Sequence, residues 1–397
     1  MTILAHVLFF ALFANDDPLA EVELVPIDGQ SVKVAKFTIE NGVVRGIRHL
    51  GRGEPGEWTV RDLLSIQFPS QPPATISGIH LRLANDELVK CSSIENASAD
   101  EFNVRGNLFG ALKVSSDLII GAVLDPDADE RQSERASEWM KKPRTTDALL
   151  FKNFDESKGS FVGLDDGTVT LEVDGVKKTT PRSQVLAVAF DPRLLQPKKI
   201  SDLFLLIRLS DGTRLRASGF TAATDRPDVA TIQTLLGAPL TVKRENFVDV
   251  SIRNGRVAYL SDLKELDSAV TPYLDDAWPV QRDRAVNGEP MRLAGKAFGK
   301  GLGMRSGTRM SFPAEGYARF QTTIGLDDSA GPLGHAIFSV FVDGRRAGEE
   351  IAIAAGDPPR TLSVPLAGAR KITLAVDFGK RGDVQDFADW GDARLVK

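Results

Sequence analysis

The sequence predicts an all-β protein: two related small β domains followed by a C-terminal β-sandwich. Three observations carry this prediction. Short runs with apolar residues at alternate positions recur along most of the chain, the period of half-buried strands. Asp-Gly and Asn-Gly pairs punctuate them, supplying the positive φ that tight hairpins require. A helical composition appears in one place only, between residues 125 and 146.

The chain has 397 residues, enough for several domains each with its own core. With 42% hydrophobic and 26% charged residues the composition is that of a globular protein, not of a disordered one. A net charge of −5 and the lack of a basic run interleaved with aromatics argue against a nucleic-acid partner. A single cysteine, Cys91, excludes an intrachain disulfide framework and a cysteine-built zinc site. The four histidines do not pair at metal-ligand spacing, which argues against a histidine-rich metalloenzyme.

Taken in order, the chain opens with Met1-Thr-Ile-Leu-Ala-His-Val-Leu-Phe-Phe-Ala-Leu-Phe-Ala14 before Asn-Asp-Asp. An apolar run ending at small residues reads as a secretory leader over residues 1–20, too short for a comfortable membrane span. The alternative is a first element of the fold, since the usual basic flank is missing. A leader predicts a periplasmic or extracellular protein.

Residues 21–124 form the first β-rich repeat, with alternating runs at 32–34, 37–39 and 43–47 broken by Asp28-Gly29 and Asn41-Gly42. Residues 125–146 read as a linker with a short helix, acidic at its start and stopped by Pro143. Residues 147–262 repeat the grammar of the first segment. Trp58-Thr-Val-Arg-Asp-Leu-Leu-Ser-Ile-Gln-Phe68 matches Pro181-Arg-Ser-Gln-Val-Leu-Ala-Val-Ala-Phe190, and Leu108-Phe-Gly-Ala-Leu matches Leu235-Leu-Gly-Ala-Pro-Leu. Four such blocks in one order, about 120–130 residues apart, indicate an internal duplication of domain size rather than a solenoid.

The last segment, 265–397, opens on Trp278-Pro-Val-Gln-Arg-Asp-Arg and continues through Gly299-Lys-Gly-Leu-Gly-Met-Arg-Ser306. Then come Phe320-Gln-Thr-Thr-Ile-Gly-Leu-Asp-Asp328, Phe338-Ser-Val-Phe-Val-Asp-Gly344 and Asp386-Phe-Ala-Asp-Trp-Gly-Asp-Ala-Arg-Leu395. Strands and turns in this density are the look of two packed antiparallel sheets. The order of these motifs resembles the NPCBM family of carbohydrate-binding modules. The resemblance covers about a third of the chain. It implies a galactose-binding-like jelly-roll and, in some relatives, recognition of galactose-type sugars beside a bound calcium. Many relatives carry a histidine after the Gly-x-Gly turn and another before Ala-Asp-Trp. Here those places hold Arg305 and Phe387, which alters any contact those histidines make.

Sugar recognition needs an apolar face for C–H groups and polar side chains fixed at hydroxyl distance. The carbohydrate-binding candidates are Trp278 and Trp390 as aromatics, Asp327, Asp328 and Asp389 as carboxylates, and Arg282 and Arg305 as donors, with Lys300 beside them. Calcium takes clustered oxygen ligands, and Asp386 and Asp392 are the candidate metal ligands. Each has a structural alternative. Trp390 lies in a closing strand where an aromatic serves the core, Asp327-Asp328 can simply cap a turn, and Asp389 can satisfy buried amides. Gly299, Gly301 and Gly303 lack the Lys-Ser/Thr end of a phosphate loop and instead permit a tight strand entry.

No barrel of alternating strands and helices and no Gly-x-Ser-x-Gly elbow is present, so nothing points to catalysis. The expectation is a secreted, non-catalytic protein that binds a glycan or cell-surface polysaccharide. Two other readings stay open: a structural or protein-interaction module of the cell envelope, and a glycoside hydrolase with an appended module, whose paired acids only geometry identifies.

Overall fold

The computed structural model describes residues 21–48, 54–69, 78–96, 98, 100–125, 130–197, 199–200, 202–222, 226, 228–273 and 277–397. The expected leader at 1–20 lies outside them. The architecture is nearly all β, with one α-helix, Glu130–Met140, among the described residues. The chain separates into two compact units, residues 1–253 and 254–397.

The first unit is built from one plan used four times, over residues 21–67, 79–123, 147–189 and 204–253. In each, four strands follow one another as antiparallel neighbours, and a fifth returns to pair with the first. A single 3₁₀ turn precedes every fifth strand: Val60–Asp62, Ser116–Leu118, Arg182–Gln184 and Arg244–Asn246. The second strand slips register against the third at Ala35/Thr38, Cys91/Ser93, Phe161/Gly163 and Ala217/Gly219. Bulges of this kind bend a strand and raise its twist, which lets five short strands curl over one core. Strand pairing thus divides each of the two long sequence repeats into two smaller units.

The four units join through their fifth strands. Leu63–Gln67 pairs with Phe247–Arg253, and Ile119–Val123 pairs with Val185–Ala189. The two junctions differ in what covers them. At the first, the outward residues are polar: Arg208 forms an ion pair with Asp249, and Ser251 Oγ donates to the same carboxylate at 3.1 Å. At the second, the helix Glu130–Met140 lays Ala136, Trp139 and Met140 on Val123, Ala148, Leu150 and residues 186, 187 and 189. This explains two sequence patterns. Val185–Ala189 is apolar at every position because both of its faces are buried, whereas Phe247–Arg253 alternates because one face stays wet. The helix read in the linker is therefore a lid over a sheet, held by an i, i+3, i+4 stripe. The two joined pairs of units meet at a narrow seam, where Leu88 pairs with Arg214.

The second unit is a sandwich of two antiparallel sheets. One runs Gln281–Arg282, Gly301–Met304, Ala388–Val396, Arg319–Leu326, Arg360–Pro365, with Val257–Tyr259 also on the final strand. The other runs Asp267–Val270, Thr308–Pro313, Lys371–Phe378, His335–Val342, Arg345–Arg346, with Ile351–Ala354 also on the His335–Val342 strand. Between them lie Leu302, Met304, Phe312, Phe320, Ile324, Phe338, Leu374, Val376, Trp390 and Leu395, all buried. Alternate residues of each strand supply this layer, as the period of two requires.

Candidate functional site

One end of the sandwich gathers aromatic and charged side chains. Met304 and Ala388 pair on neighbouring strands, so the next residue on one strand, Arg305, and the preceding one on the other, Phe387, emerge side by side. Trp278 reaches the same place because Gln281, three residues on, pairs with Gly303. The Trp278 and Phe387 rings lie 5.9 Å apart, tilted by 34°. The Arg305 guanidinium carbon stands 4.7 Å from the Trp278 ring centre, a cation–π distance. Arg305 Nη2 donates to the Asp383 carbonyl at 2.7 Å and stands 3.7 Å from its carboxylate, while Nε is buried without an acceptor. Trp278 and Phe387 are half-buried, so an aromatic edge with a fixed cation faces outward.

The turn that follows the Lys371–Phe378 strand closes this end. His335 N donates to Asp386 Oδ1 at 2.7 Å, Ser306 Oγ donates to Oδ2 at 2.8 Å, and Lys380 N donates to His335 Nδ1 at 3.2 Å. Burial pushes the Asp386 carboxyl up, against the pull of these two donors. Gln385 Oε1 accepts from Leu333 N at 2.9 Å and ties in the neighbouring loop. Tyr273 stacks edge-on against Phe378 at 5.3 Å and, with Leu333 and Val384, leaves apolar surface exposed.

A second feature lies on the outer face of the first sheet, beneath the 283–298 segment. A Cβ at Gly303 would stand 2.4 Å from the Arg284 carbonyl oxygen, and one at Gly391 2.6 Å from the Phe298 ring. Met291, Leu293 and Phe298 form a small buried cluster in this cover. Asp389, paired with Gly303 on one side and Gly325 on the other, points into it. It is fully buried, and neither carboxylate oxygen meets a donor. Burial, and then the nearby carboxylates of Asp327 and Asp328, raise its pKa well above the ordinary value. With no donor on either Asp389 oxygen and Asp327 beside it, the site disfavours charge on both carboxyls at once.

These placements sort the residues singled out in the sequence. Trp278 and Arg305 stand together. Trp390 does not join them: it is fully buried against Phe338 at 5.2 Å and Phe320 at 6.5 Å, because its side of the final strand faces the opposite sheet. Arg282 is a clamp, its Nη1 donating to the carbonyls of Leu260, Ser261 and Leu263 and its Nη2 to Glu265 at 2.5 Å. Asp327 is buried, accepting from Arg292 N and from the amide and hydroxyl of Ser329. Asp328 accepts from Gly295 N at 2.8 Å and pins the covering segment. Asp389 lies under that cover and cannot touch a sugar outside. Asp386 stands before the final strand with both oxygens already accepting hydrogen bonds, while Asp392 lies within that strand, where its backbone takes φ +50°. Lys300 bridges Asp262 and Asp283. Phe387, Asp383 and His335 belong to the site without having been singled out for it. The displaced histidine position at 387 was the one signal available.

Residues 256–396 match the family model described as the NPCBM/NEW2 domain. Among curated proteins, the chain is 30% identical over 147 residues to a Renibacterium salmoninarum protein named "Putative endo-alpha-N-acetylgalactosaminidase", a match covering 35% of this chain and 9% of that protein. The chain thus spans a small part of the relative it resembles. Among solved structures, it is similar to the CBM51-2 and INT domains of Clostridium perfringens ZmpB in complex with GlcNAc. That likeness has 25% identity and a TM-score of 0.33, over 45% of this chain and 37% of that one. It is also similar to a CBM51 from a Clostridium perfringens GH95 protein in complex with methyl-galactose, with 24% identity and a TM-score of 0.33, over 35% of this chain and 99% of that one.

Proposed function

From the premise that residues 256–396 are a domain of the NPCBM/NEW2 family, we propose that this chain is a secreted, non-catalytic glycan-binding protein. The sugar is received at the end of the sandwich that carries Trp278, Arg305 and Phe387. The observation that supports this most is the junction of a half-exposed tryptophan with a cation fixed on its ring, at a place built by three separate strands and loops. An aromatic edge offers dispersion to the C–H face of a sugar, and a guanidinium already held by Asp383 loses little entropy on donating to an oxygen. Each site should bind weakly, since a sugar gives up water hydrogen bonds for those it gains. No helix among the described residues is long and apolar enough to cross a membrane.

The test is a glycan-array screen of the full chain beside Trp278→Ala. Binding that falls at least tenfold in the variant supports this site. No sugar bound by the wild type would favour the envelope-scaffold reading instead.

Calcium belongs to the same proposal, at a different address from Asp386 and Asp392. Asp389, with two buried oxygens and no donor, is the side chain that fits a hard cation, the remaining ligands coming from main-chain carbonyls. A cation there would stabilise the buried Asp389 carboxylate and fasten the 283–298 cover to the sheet. Calcium should raise the melting temperature of the domain, EDTA should reverse the rise, and Asp389→Asn should abolish it. An unchanged rise in Asp389→Asn would place any calcium elsewhere.

A further inference from the structure

Gln385, at the same end of the sandwich, holds its main chain in a shape that residues with a side chain rarely take. Its φ is +60°, in the left-handed region. Glycine takes that shape freely, so what the glutamine adds is its side chain. That side chain is locked into the neighbouring loop. Its Oε1 accepts from Leu333 N at 2.9 Å, and a Cβ at Gly331 would overlap its terminal amide. A Cβ at Gly334 would stand 2.7 Å from the Gln385 carbonyl oxygen. The two glycines are thus a socket for one residue.

Both flanks of Gln385 lead to the site proposed above, on which this inference rests. On one side the Asp383 carbonyl accepts from Arg305 Nη2 at 2.7 Å, and Arg305 lies on the Trp278 ring. On the other, Phe387 N donates to the Gln385 carbonyl at 2.9 Å, and the Phe387 ring meets Trp278. The turn is tied to His335 through Lys380 N and through Asp386, and Gln385 adds the tie to residues 331–334. We propose that Gln385 is the positioning residue of this junction. Keyed into Gly331 and Leu333, it sets Asp383 and Phe387 where they hold Arg305 and Trp278 together.

Substitutions separate the side chain from the backbone. Gln385→Asn and Gln385→Gly suit the left-handed shape better than glutamine does, but neither reaches Leu333 N. Gln385→Glu keeps the length and an oxygen that accepts the same bond. The first readout, on the full chain, is the NMR signal of Arg305 Nε–H, which is buried without an acceptor and lies near the Trp278 ring. Its assignment comes from its loss in Arg305→Lys. The ring displaces this signal. In Gln385→Asn and Gln385→Gly it should move toward the position of an ordinary arginine, and in Gln385→Glu it should return. The second readout is calorimetric titration with methyl galactoside. Binding should weaken roughly five- to tenfold in the Asn and Gly variants and recover in the Glu variant. An Arg305 signal unmoved in both Gln385→Asn and Gln385→Gly overturns the assignment, even where the melting temperature falls, since a merely structural role lowers stability without moving Arg305. A signal that moves as expected in a chain that binds no methyl galactoside upholds the positioning role and counts against the sugar reading instead.

Discussion

Gly303 has no space for a methyl group, and the atoms that exclude it cannot swing aside. They are the Arg284 carbonyl oxygen at 2.4 Å and the Val286 amide nitrogen at 2.5 Å, both backbone. Gly303→Ala should therefore lift the 283–298 cover and cost about 1–3 kcal/mol, read as a lower melting temperature. It should also abolish any calcium response, since Asp389 lies under the same segment. An alanine variant as stable as wild type would mean that the cover does not pack on this strand. The glycine-rich run was visible in the sequence, but a tight turn and a close overlay of backbone leave the same mark there. Trp278 and Arg305 could be picked out because loop aromatics and arginines are exposed by default. Trp390, Asp327 and Asp389 could not be sorted the same way. Whether such a residue faces a ligand or the core depends on which side of the final strand it occupies and on what crosses that side.

Between elements, the seam at Leu88 and Arg214 holds a carboxylate in an unusual state. Glu87 is buried there. Its Oε1 accepts from Arg216 N at 2.7 Å, and Arg216 Nη2 donates to Asn85 O at 2.7 Å. Burial pushes the Glu87 carboxyl up to about 7 from 4.5, against the opposing pull of the Arg216 amide and charge. Asp211, also buried at this seam, is raised in the same direction by burial, though Thr213 N donates to it at 2.8 Å and Lys90 lies near. A carboxyl that binds its proton more tightly in the fold stabilises the fold only while protonated. The contribution is whole below about 4.5 and is lost as pH rises through 7. The first unit should be less stable at pH 8 than at pH 5 by on the order of 3 kcal/mol from Glu87. Glu87→Gln should flatten most of that slope in urea titrations, with Asp211 keeping the remainder. A slope unchanged in Glu87→Gln would remove Glu87 from the account. At this scale the sequence was informative about strands and turns, because alternation and Asn-Gly or Asp-Gly pairs are local signals. It was silent about the seam, since a glutamate between Asp86 and Leu88 looks like any loop acid until the Arg216 strand is laid beside it.

For the whole molecule, the decisive feature is that the chain divides into two compact units and that each buried apolar cluster of the described residues lies within one of them. A recurrence at domain spacing was legible because two pairs of units with one plan of strand pairing follow one another there. The fourfold plan beneath it was not, since each unit's common features are bulges and 3₁₀ turns, which any polar tripeptide can form. Separate cores predict that the full chain departs from two-state unfolding. A calorimetric scan should resolve two transitions. One should follow pH through Glu87 and ignore calcium, and the other should fall in Gly303→Ala and rise with calcium. Each perturbation acts on groups that the other unit does not contain, so the shifts should add without coupling. A single transition moved by both substitutions would show that the two cores unfold as one. In that event the 254–397 sandwich could not be treated as an independently folding binding module.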